Sequence, residues 1–167
     1  MLVLEHLLIF SQTLLLCLFL SVNGFLLKKI IFNYIDKKNF EENCLFGFIL
    51  IAFISLFINF FFPLSLYVNN ISFLLLFFVA FKFGFFNQKK IFFIKKCIYV
   101  SSLAYILIIY SNVNTPDALL YHLPYSRLIN EHKIIIGASN IHFRFGHISI
   151  FQYISSFFNN SLFKENG

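Results

Sequence analysis

Residues 44–67 read CLFGFILIAFISLFINFFFPLSLY, a run of 24 residues without one charged side chain. A helix needs about 20 predominantly apolar residues to cross the hydrocarbon core of a bilayer. The run therefore predicts a transmembrane helix. Pro63, near its far end, is compatible with a kink because neighbouring groups in a membrane helix can satisfy the freed backbone.

The composition of the whole chain agrees with a membrane protein. Of 167 residues, 59% are hydrophobic and only 12% are charged, and the mean hydropathy is +0.81. Soluble domains contain roughly 45–50% apolar and about 25% charged residues. A free-standing soluble domain is therefore excluded. The net charge of +6 is attributed to basic residues beside the membrane, whose positions indicate topology. No nucleic-acid partner is expected.

Three further stretches are predicted to span the bilayer: residues 7–27, 71–86 and 97–112. The stretch 71–86 contains Lys82, whose long side chain can extend to the interface. A cleaved signal peptide is the competing interpretation of residues 7–27. Such a peptide begins with basic residues, whereas this chain begins with Glu5 and His6, so we expect the segment to be retained.

The lysines predict the orientation of the spans. Residues 28–43 and 87–96 together contain eight of the 13 basic residues, and the predicted turn at 68–70 contains none. Lys and Arg concentrate on the cytoplasmic side of membrane proteins. Both basic segments are therefore predicted to be cytoplasmic, with the N-terminus and all residues after 112 outside the cell inner membrane.

The predicted fold class is thus an all-α polytopic membrane protein, with about four transmembrane helices in residues 1–112. Residues 113–167 are predicted to form an extracytoplasmic loop with amphipathic interfacial helices. Two short helices are expected on either side of Pro124, the second reaching about His132, because proline suits the first turn of a helix. A third is expected within 148–163, where apolar residues recur near helical spacing.

Metal and disulfide chemistry receive no support from the sequence. Cys17, Cys44 and Cys97 lie in or beside apolar stretches without paired spacing. His142 and His147 do not form a convincing metal-ligand pattern. We expect no metal and no cofactor.

Four of the five histidines and both arginines of the chain lie after residue 112, where Asp117 follows the turn-forming segment 112–116. A single carboxylate beside a turn is more often a helix cap or a solvated charge than a catalytic group. The nearby histidines and Arg144 are, by the same reasoning, more often ordinary interface residues. On the residues alone, both interpretations stay open.

Two segments of this region resemble a conserved block of bacterial polytopic membrane proteins. They are DALLYHLP at 117–124 and IIIGASNIHFRFGHISIFQY at 134–153, and the resemblance extends over roughly 112–158. Those proteins are similar to the membrane-embedded glycosyltransferases of the GT-C superfamily. The resemblance implies transfer of a sugar from a polyprenyl-phosphate carrier to a surface glycan or lipid.

The resemblance also implies roles for individual residues. Asp117 matches the acidic residue that acts as general base on the acceptor hydroxyl. Arg144, with His122 and His142, would hold the departing lipid phosphate. Members of the superfamily are several times longer, so the chain is interpreted as an N-terminal fragment, inactive alone, whose partner is the missing C-terminal portion.

Two other functions remain alternatives. One is a non-enzymatic membrane protein, such as a transport or polysaccharide-assembly component that uses the tail for docking. Ion and proton pathways usually need several ionisable groups within the spans, and here only Lys82 lies inside one. The other is an inactive remnant.

Overall fold

The computed structural model describes residues 2–32, 40–83, 90–110, 122–140 and 149–163. Within these ranges every regular element is helical. Six α-helices follow one another: α1 (Leu2–Phe32), α2 (Phe40–Phe61), α3 (Leu66–Phe83), α4 (Lys90–Tyr110), α5 (Leu123–Glu131) and α6 (Ile150–Phe158). A single 3₁₀ turn covers Ala138–Asn140.

Three of the described helices are long and apolar enough to cross a membrane. They cover Leu4–Phe32, Phe40–Phe61 and Phe93–Tyr110, with 29, 22 and 18 residues. The apolar part of α3, Leu66–Ala80, is shorter. The helix at the fourth predicted span, 97–112, begins earlier than expected, because α4 already starts at Lys90.

The turn predicted at 68–70 is wrong. The chain leaves α2 after Phe61 and re-enters a helix at Leu66, so the turn lies at 62–65. Pro63 explains the position, since proline has no N–H to donate and its ring clashes with the preceding turn of a helix. Asn69 lies inside α3 instead, and its side-chain amide donates to the carbonyl of Leu64 in the turn.

The described residues divide into two compact units. The first contains the described parts of Met1–Leu50 and Leu74–Asn112, and the second those of Ile51–Phe73 and Val113–Gly167. Unit 1 has an apolar core formed by residues of all four long helices. Its buried members are Val22, Phe40, Ala80, Phe93 and Cys97.

Close backbone contact between α1 and α2 depends on two glycines of unit 1. A Cβ added at Gly24 would lie 1.7 Å from the carbonyl oxygen of Asn43, and one at Gly47 would lie 1.9 Å from that of Leu20. Small residues let membrane helices approach each other in this way. Within a bilayer, packing and not the hydrophobic effect drives the association of helices.

Two ion pairs join the helix ends of unit 1. Lys28 Nζ of α1 lies 2.6 Å from Glu42 Oε2 of α2, and Lys96 Nζ of α4 lies 2.7 Å from Glu41 Oε1. The end of α1 and the beginnings of α2 and α4 therefore meet at one end of the unit. Lys28 and Lys96 belong to the two basic segments that are predicted to share a side of the membrane.

Candidate functional site in the second unit

The second unit is built around the turn at 62–65, which packs against α5 and α6. Leu64 is fully buried in a cluster with Tyr125, Ile129 and Tyr153. Its backbone N–H also donates to the carbonyl of Ile129 at 3.1 Å. The turn between α2 and α3 is therefore held by both apolar packing and the backbone of α5.

Asn59, the last polar residue of α2, satisfies the C-terminal end of α5. The final carbonyls of a helix have no partner within the helix. The Asn59 amide donates to two of the carbonyls in this region, those of Ile129 at 3.2 Å and His132 at 3.0 Å. In return, the N–H of Ile134 donates to the Asn59 carbonyl at 2.9 Å.

Asn69 of α3 donates hydrogen bonds to carbonyls at the C-terminal end of α6. Its buried amide nitrogen donates to the carbonyls of Ser156 at 2.7 Å and Asn159 at 3.0 Å, and to Leu64 of the turn at 2.8 Å. One side chain thereby joins the turn, α3 and the C-terminal end of α6. Because the three carbonyls lie in a water-poor environment, each would be costly to leave unpaired.

Asn130 of α5 completes the network. With its amide nitrogen toward the acceptors, it donates to Leu64 O at 2.9 Å and Ser156 O at 3.1 Å, and its oxygen accepts from Asn159 Nδ2 at 2.7 Å. Asn59, Asn69 and Asn130 are named here the asparagine network. It fixes the positions of α5 and α6, and therefore of the side chains that those helices present.

Polar side chains of α5 and α6 meet along one side of the helix pair. His122 Nδ1 lies 3.2 Å from Gln152 Nε2, and Ser126 Oγ lies 3.3 Å from Ser155 Oγ. The Ser156 hydroxyl donates to the Ser126 carbonyl at 3.2 Å. Hydroxyl, imidazole and amide groups suit the binding of oxygen-rich ligands, since each forms hydrogen bonds to hydroxyl or phosphoryl oxygens.

The apolar side of the pair buries two phenols. Tyr125 and Tyr153 are hydrogen-bonded to each other, and both side chains are almost fully buried. Burial is the main cause that raises the pKa of Tyr125 above its usual value, and Tyr153 adds to the rise. Burial also raises the pKa of Tyr153. Both phenols are therefore neutral, structural groups at physiological pH.

An exposed ion pair lies on the outer surface of α5. Arg127 Nε is 2.7 Å from Glu131 Oε1, one helical turn later. The hydrogen bond to Arg127 lowers the pKa of Glu131, and the same bond raises the pKa of Arg127. An exposed i,i+4 pair of this kind contributes little to stability.

Of the four residues predicted to form the site, the structure describes one. His122 lies at the N-terminal end of α5, exposed, with its ring against Gln152. Asp117, His142 and Arg144 lie outside the described residues, as does the helix predicted before Pro124. Helix α5 coincides with the one predicted after Pro124, and α6 lies within the predicted 148–163.

Sequence reasoning missed Gln152 and the asparagine network. Ser149 and Gln152 have the S-x-x-Q spacing of a capping box, which was a readable local signal. Asn59 is a lone amide within an apolar span, and such residues usually face partners inside the protein. The identity of those partners, 70 or more residues away, had no signal in the sequence.

Among the described residues, no group of three or more His, Cys, Asp or Glu side chains could hold a metal ion. The described part of the site presents the hydrogen-bonding groups of His122, Ser126, Gln152 and Ser155.

These helices place the chain among the all-α membrane proteins. The chain belongs to the family described as Domain of unknown function (DUF8201), whose family model matches residues 7–167. No protein of curated function and no solved structure matches the chain.

Proposed function

We propose that the chain is part of a membrane-embedded glycosyltransferase that moves a sugar from a polyprenyl-phosphate donor to a surface glycan or lipid. The observation that supports it is the contact between the two segments of the GT-C-like block. His122, from the first segment, contacts Gln152 from the second, 30 residues later. A block whose parts assemble around polar side chains is typical of a binding site.

In the proposed reaction, the acceptor hydroxyl oxygen attacks the anomeric carbon of the donor sugar. The bond between that carbon and the phosphate oxygen breaks, and the electron pair leaves on the lipid phosphate. Asp117 takes the proton of the hydroxyl, since a carboxylate positioned near the hydroxyl can act as general base. Arg144, His122 and His142 stabilise the negative charge of the leaving phosphate.

The proposed topology has four spans, with the N-terminus and the helices α5 and α6 outside the cell. The ion pairs of Lys28 and Lys96 support a common, cytoplasmic side for both basic segments, in accord with the positive-inside rule. The turn at 62–65 packs with α5 and α6 in unit 2, which favours one common side for these elements. As the third span, α3 with 18 residues is about 27 Å long, close to the ~30 Å hydrocarbon thickness.

A non-enzymatic role is the second candidate, and the asparagine network is the observation that favours it. The amides of Asn59, Asn69 and Asn130 are committed to backbone carbonyls, as expected of a rigid docking surface. Consumption of the sugar donor distinguishes the two functions, because a docking protein binds a partner without consuming a donor.

The test is donor consumption by membranes. Membranes from cells with the intact gene, and from cells lacking it, are incubated with radiolabelled polyprenyl-phosphate sugars. Gene-dependent transfer of label into glycan or lipid supports the proposal. Equal transfer by both membranes, across a panel of donor sugars and with the protein present at normal levels, would reject it.

A further inference from the structure

The side-chain amide of Gln152 has a fixed orientation. Ser149 caps α6, its hydroxyl accepting from the N–H of Phe151 at 3.3 Å. The N–H of Ser149 donates in turn to Gln152 Oε1 at 3.1 Å, which completes a capping box. An N–H group requires an acceptor, so the oxygen of the amide faces Ser149 and the nitrogen faces the opposite way.

That nitrogen determines where the proton of His122 resides. Gln152 Nε2 lies 3.2 Å from His122 Nδ1, and an amide nitrogen only donates. Nδ1 must therefore accept, and a nitrogen that accepts carries no proton. In a neutral imidazole the proton is then on Nε2, since the hydrogen bond made by one ring nitrogen sets the state of the other.

We infer that Gln152 is a positioning residue that holds His122 as the Nε2–H tautomer, so that the ring acts on a substrate as a hydrogen-bond donor. The ligand group that such a donor recognises is an acceptor oxygen, and the proposed function identifies it as a phosphoryl oxygen of the lipid donor. This last assignment rests on the proposed function, whereas the tautomer does not.

His122 and Asp117 have different roles in the proposed site. A ring held as the Nε2–H tautomer presents no lone pair on Nε2, and its Nδ1 lone pair is occupied by Gln152. His122 is therefore not available as the general base for the acceptor hydroxyl. That role stays with the carboxylate of Asp117, while His122 binds the leaving group.

Nuclear magnetic resonance of the full chain in lipid nanodiscs, with ¹⁵N-labelled histidine, tests the tautomer directly. The His122 signals are assigned by their loss in His122→Asn. The expected spectrum has a protonated Nε2 and an unprotonated Nδ1. In Gln152→Glu the capping box is kept, because glutamate also serves at this position. Its carboxylate accepts where the amide donated, so the proton is expected to move to Nδ1.

Ser149→Ala is the matched control. It removes the capping hydroxyl of α6 but keeps the Gln152 amide and the backbone N–H that orients it, so the tautomer is expected to stay as in the wild type. A wild-type ring protonated on Nδ1, or the same tautomer in the wild type and in a helical, monodisperse Gln152→Glu, would overturn the inference.

The ligand is tested separately with geranyl phosphate and inorganic phosphate as probes. A shift of the His122 Nε2 signal with geranyl phosphate alone supports a lipid phosphate, and a shift with both probes supports a phosphate of either source. No shift with either overturns the phosphoryl assignment and leaves the tautomer result standing. Failure of the sugar-transfer assay bears on the proposed function alone.

Discussion

Asn69 Nδ2 donates to the main-chain oxygen of Ser156 at 2.7 Å and so joins the beginning of α3 to the end of α6, 87 residues later. The same nitrogen donates to Asn159 O and Leu64 O. One amide thus satisfies carbonyls of a turn and of a helix end. The carbonyl of Ser156 also accepts from the N–H of Asn159 at 3.2 Å, so the amide of Asn69 adds a tertiary contact to a helix end that its own backbone closes only in part.

We expect Asn69→Leu to destabilise the protein strongly. The substitution keeps the approximate volume but removes the donor that Leu64 O, Ser156 O and Asn159 O share. Asn130 still donates to Leu64 O and Ser156 O, so the main loss is at Asn159 O, and an unsatisfied buried polar group costs about 1–3 kcal/mol. Asn70→Leu is the control, because Asn70 contacts the exposed hydroxyl of Ser161. Thermal unfolding in detergent measures both. Equal loss of stability in the two variants would contradict the role given to Asn69.

The position of the turn illustrates what the sequence could and could not predict. The charge-free run that begins at Cys44 was sufficient to predict a long apolar helix, because hydropathy and length are properties of the segment itself. The end of that helix could not be predicted from the sequence, because Asn69 and Asn70 resemble turn residues and Pro63 can be accommodated within a membrane helix. In the structure Pro63 ends α2, and distant partners, Ser156 and Asn159, hold Asn69 within α3.

The candidate site, like the turn, could be predicted from the sequence only in part. His122 was predicted from the resemblance, and the capping box that orients Gln152 is a local pattern over four residues. The approach of Gln152 to His122 depends on the packing of α5 against α6, with Tyr125 and Tyr153 in a common cluster. A single sequence contains no signal for that pairing.

Gly47→Ala is expected to destabilise unit 1. Alanine would normally stabilise a helix by roughly 0.5–1 kcal/mol relative to glycine. Here its Cβ would lie 1.9 Å from the backbone oxygen of Leu20, and a backbone oxygen cannot move aside as a flexible side chain can. Separation of the helices should cost about 1–3 kcal/mol or more, so the net effect is unfavourable.

Ser102→Ala on α4 serves as the control for Gly47→Ala. The Ser102 hydroxyl bonds only to Ile98 O of its own helix in the described structure, so its loss should change little. The unfolding temperatures of the two variants in the same detergent are compared. A Gly47→Ala protein as stable as Ser102→Ala would show that α1 and α2 do not pack at this distance.

The phenols of Tyr125 and Tyr153 predict how stability depends on alkaline pH. Burial raises both folded-state pKa values above the unfolded value of about 10. Their contribution to stability is therefore complete below about pH 10 and is lost as the pH rises toward the folded-state values, because the unfolded chain ionises first. Unfolding in detergent should become easier over this range.

Tyr125→Phe isolates the contribution of this group. Phenylalanine cannot ionise, so the variant should lose less stability between about pH 9 and 11, although it starts lower by about 1 kcal/mol for the lost hydrogen bond. Tyr99→Phe, at an exposed position of α4, is the control, and its stability is expected to match that of the wild type. Parallel curves for the wild type and Tyr125→Phe would contradict a raised pKa at this site.

The proposed topology predicts a labelling pattern in intact cells. Single cysteines are introduced at positions 36, 65 and 88 of a chain whose three native cysteines have been replaced by alanine. The position in the turn at 62–65 should react with a membrane-impermeant maleimide, and the two positions in the basic segments should react only after permeabilisation. Labelling of position 36 or 88 in intact cells, with none at 65, would reverse the orientation.

The last prediction concerns Asp117, whose assignment comes from the resemblance and whose position lies outside the described residues. Asp117→Asn preserves the size and most of the hydrogen bonding of the side chain but removes its basicity. Loss of a general base typically lowers the rate about 10²–10⁴-fold, whereas loss of a helix cap costs about 1 kcal/mol of stability. The catalytic interpretation therefore predicts normal protein levels in the membrane with transfer nearly abolished, and the structural one predicts lower levels with transfer retained.

Glu131→Gln provides the matched control, since it removes an exposed carboxylate of α5 that pairs with Arg127 of the same helix. Both variants are made in the natural gene, and transfer from a polyprenyl-phosphate sugar is measured in membranes after normalising for protein level. A large loss in Asp117→Asn with near wild-type transfer in Glu131→Gln supports the general base. Wild-type transfer by Asp117→Asn would remove Asp117 from the reaction and, with it, the only carboxylate proposed to accept the proton of the sugar acceptor.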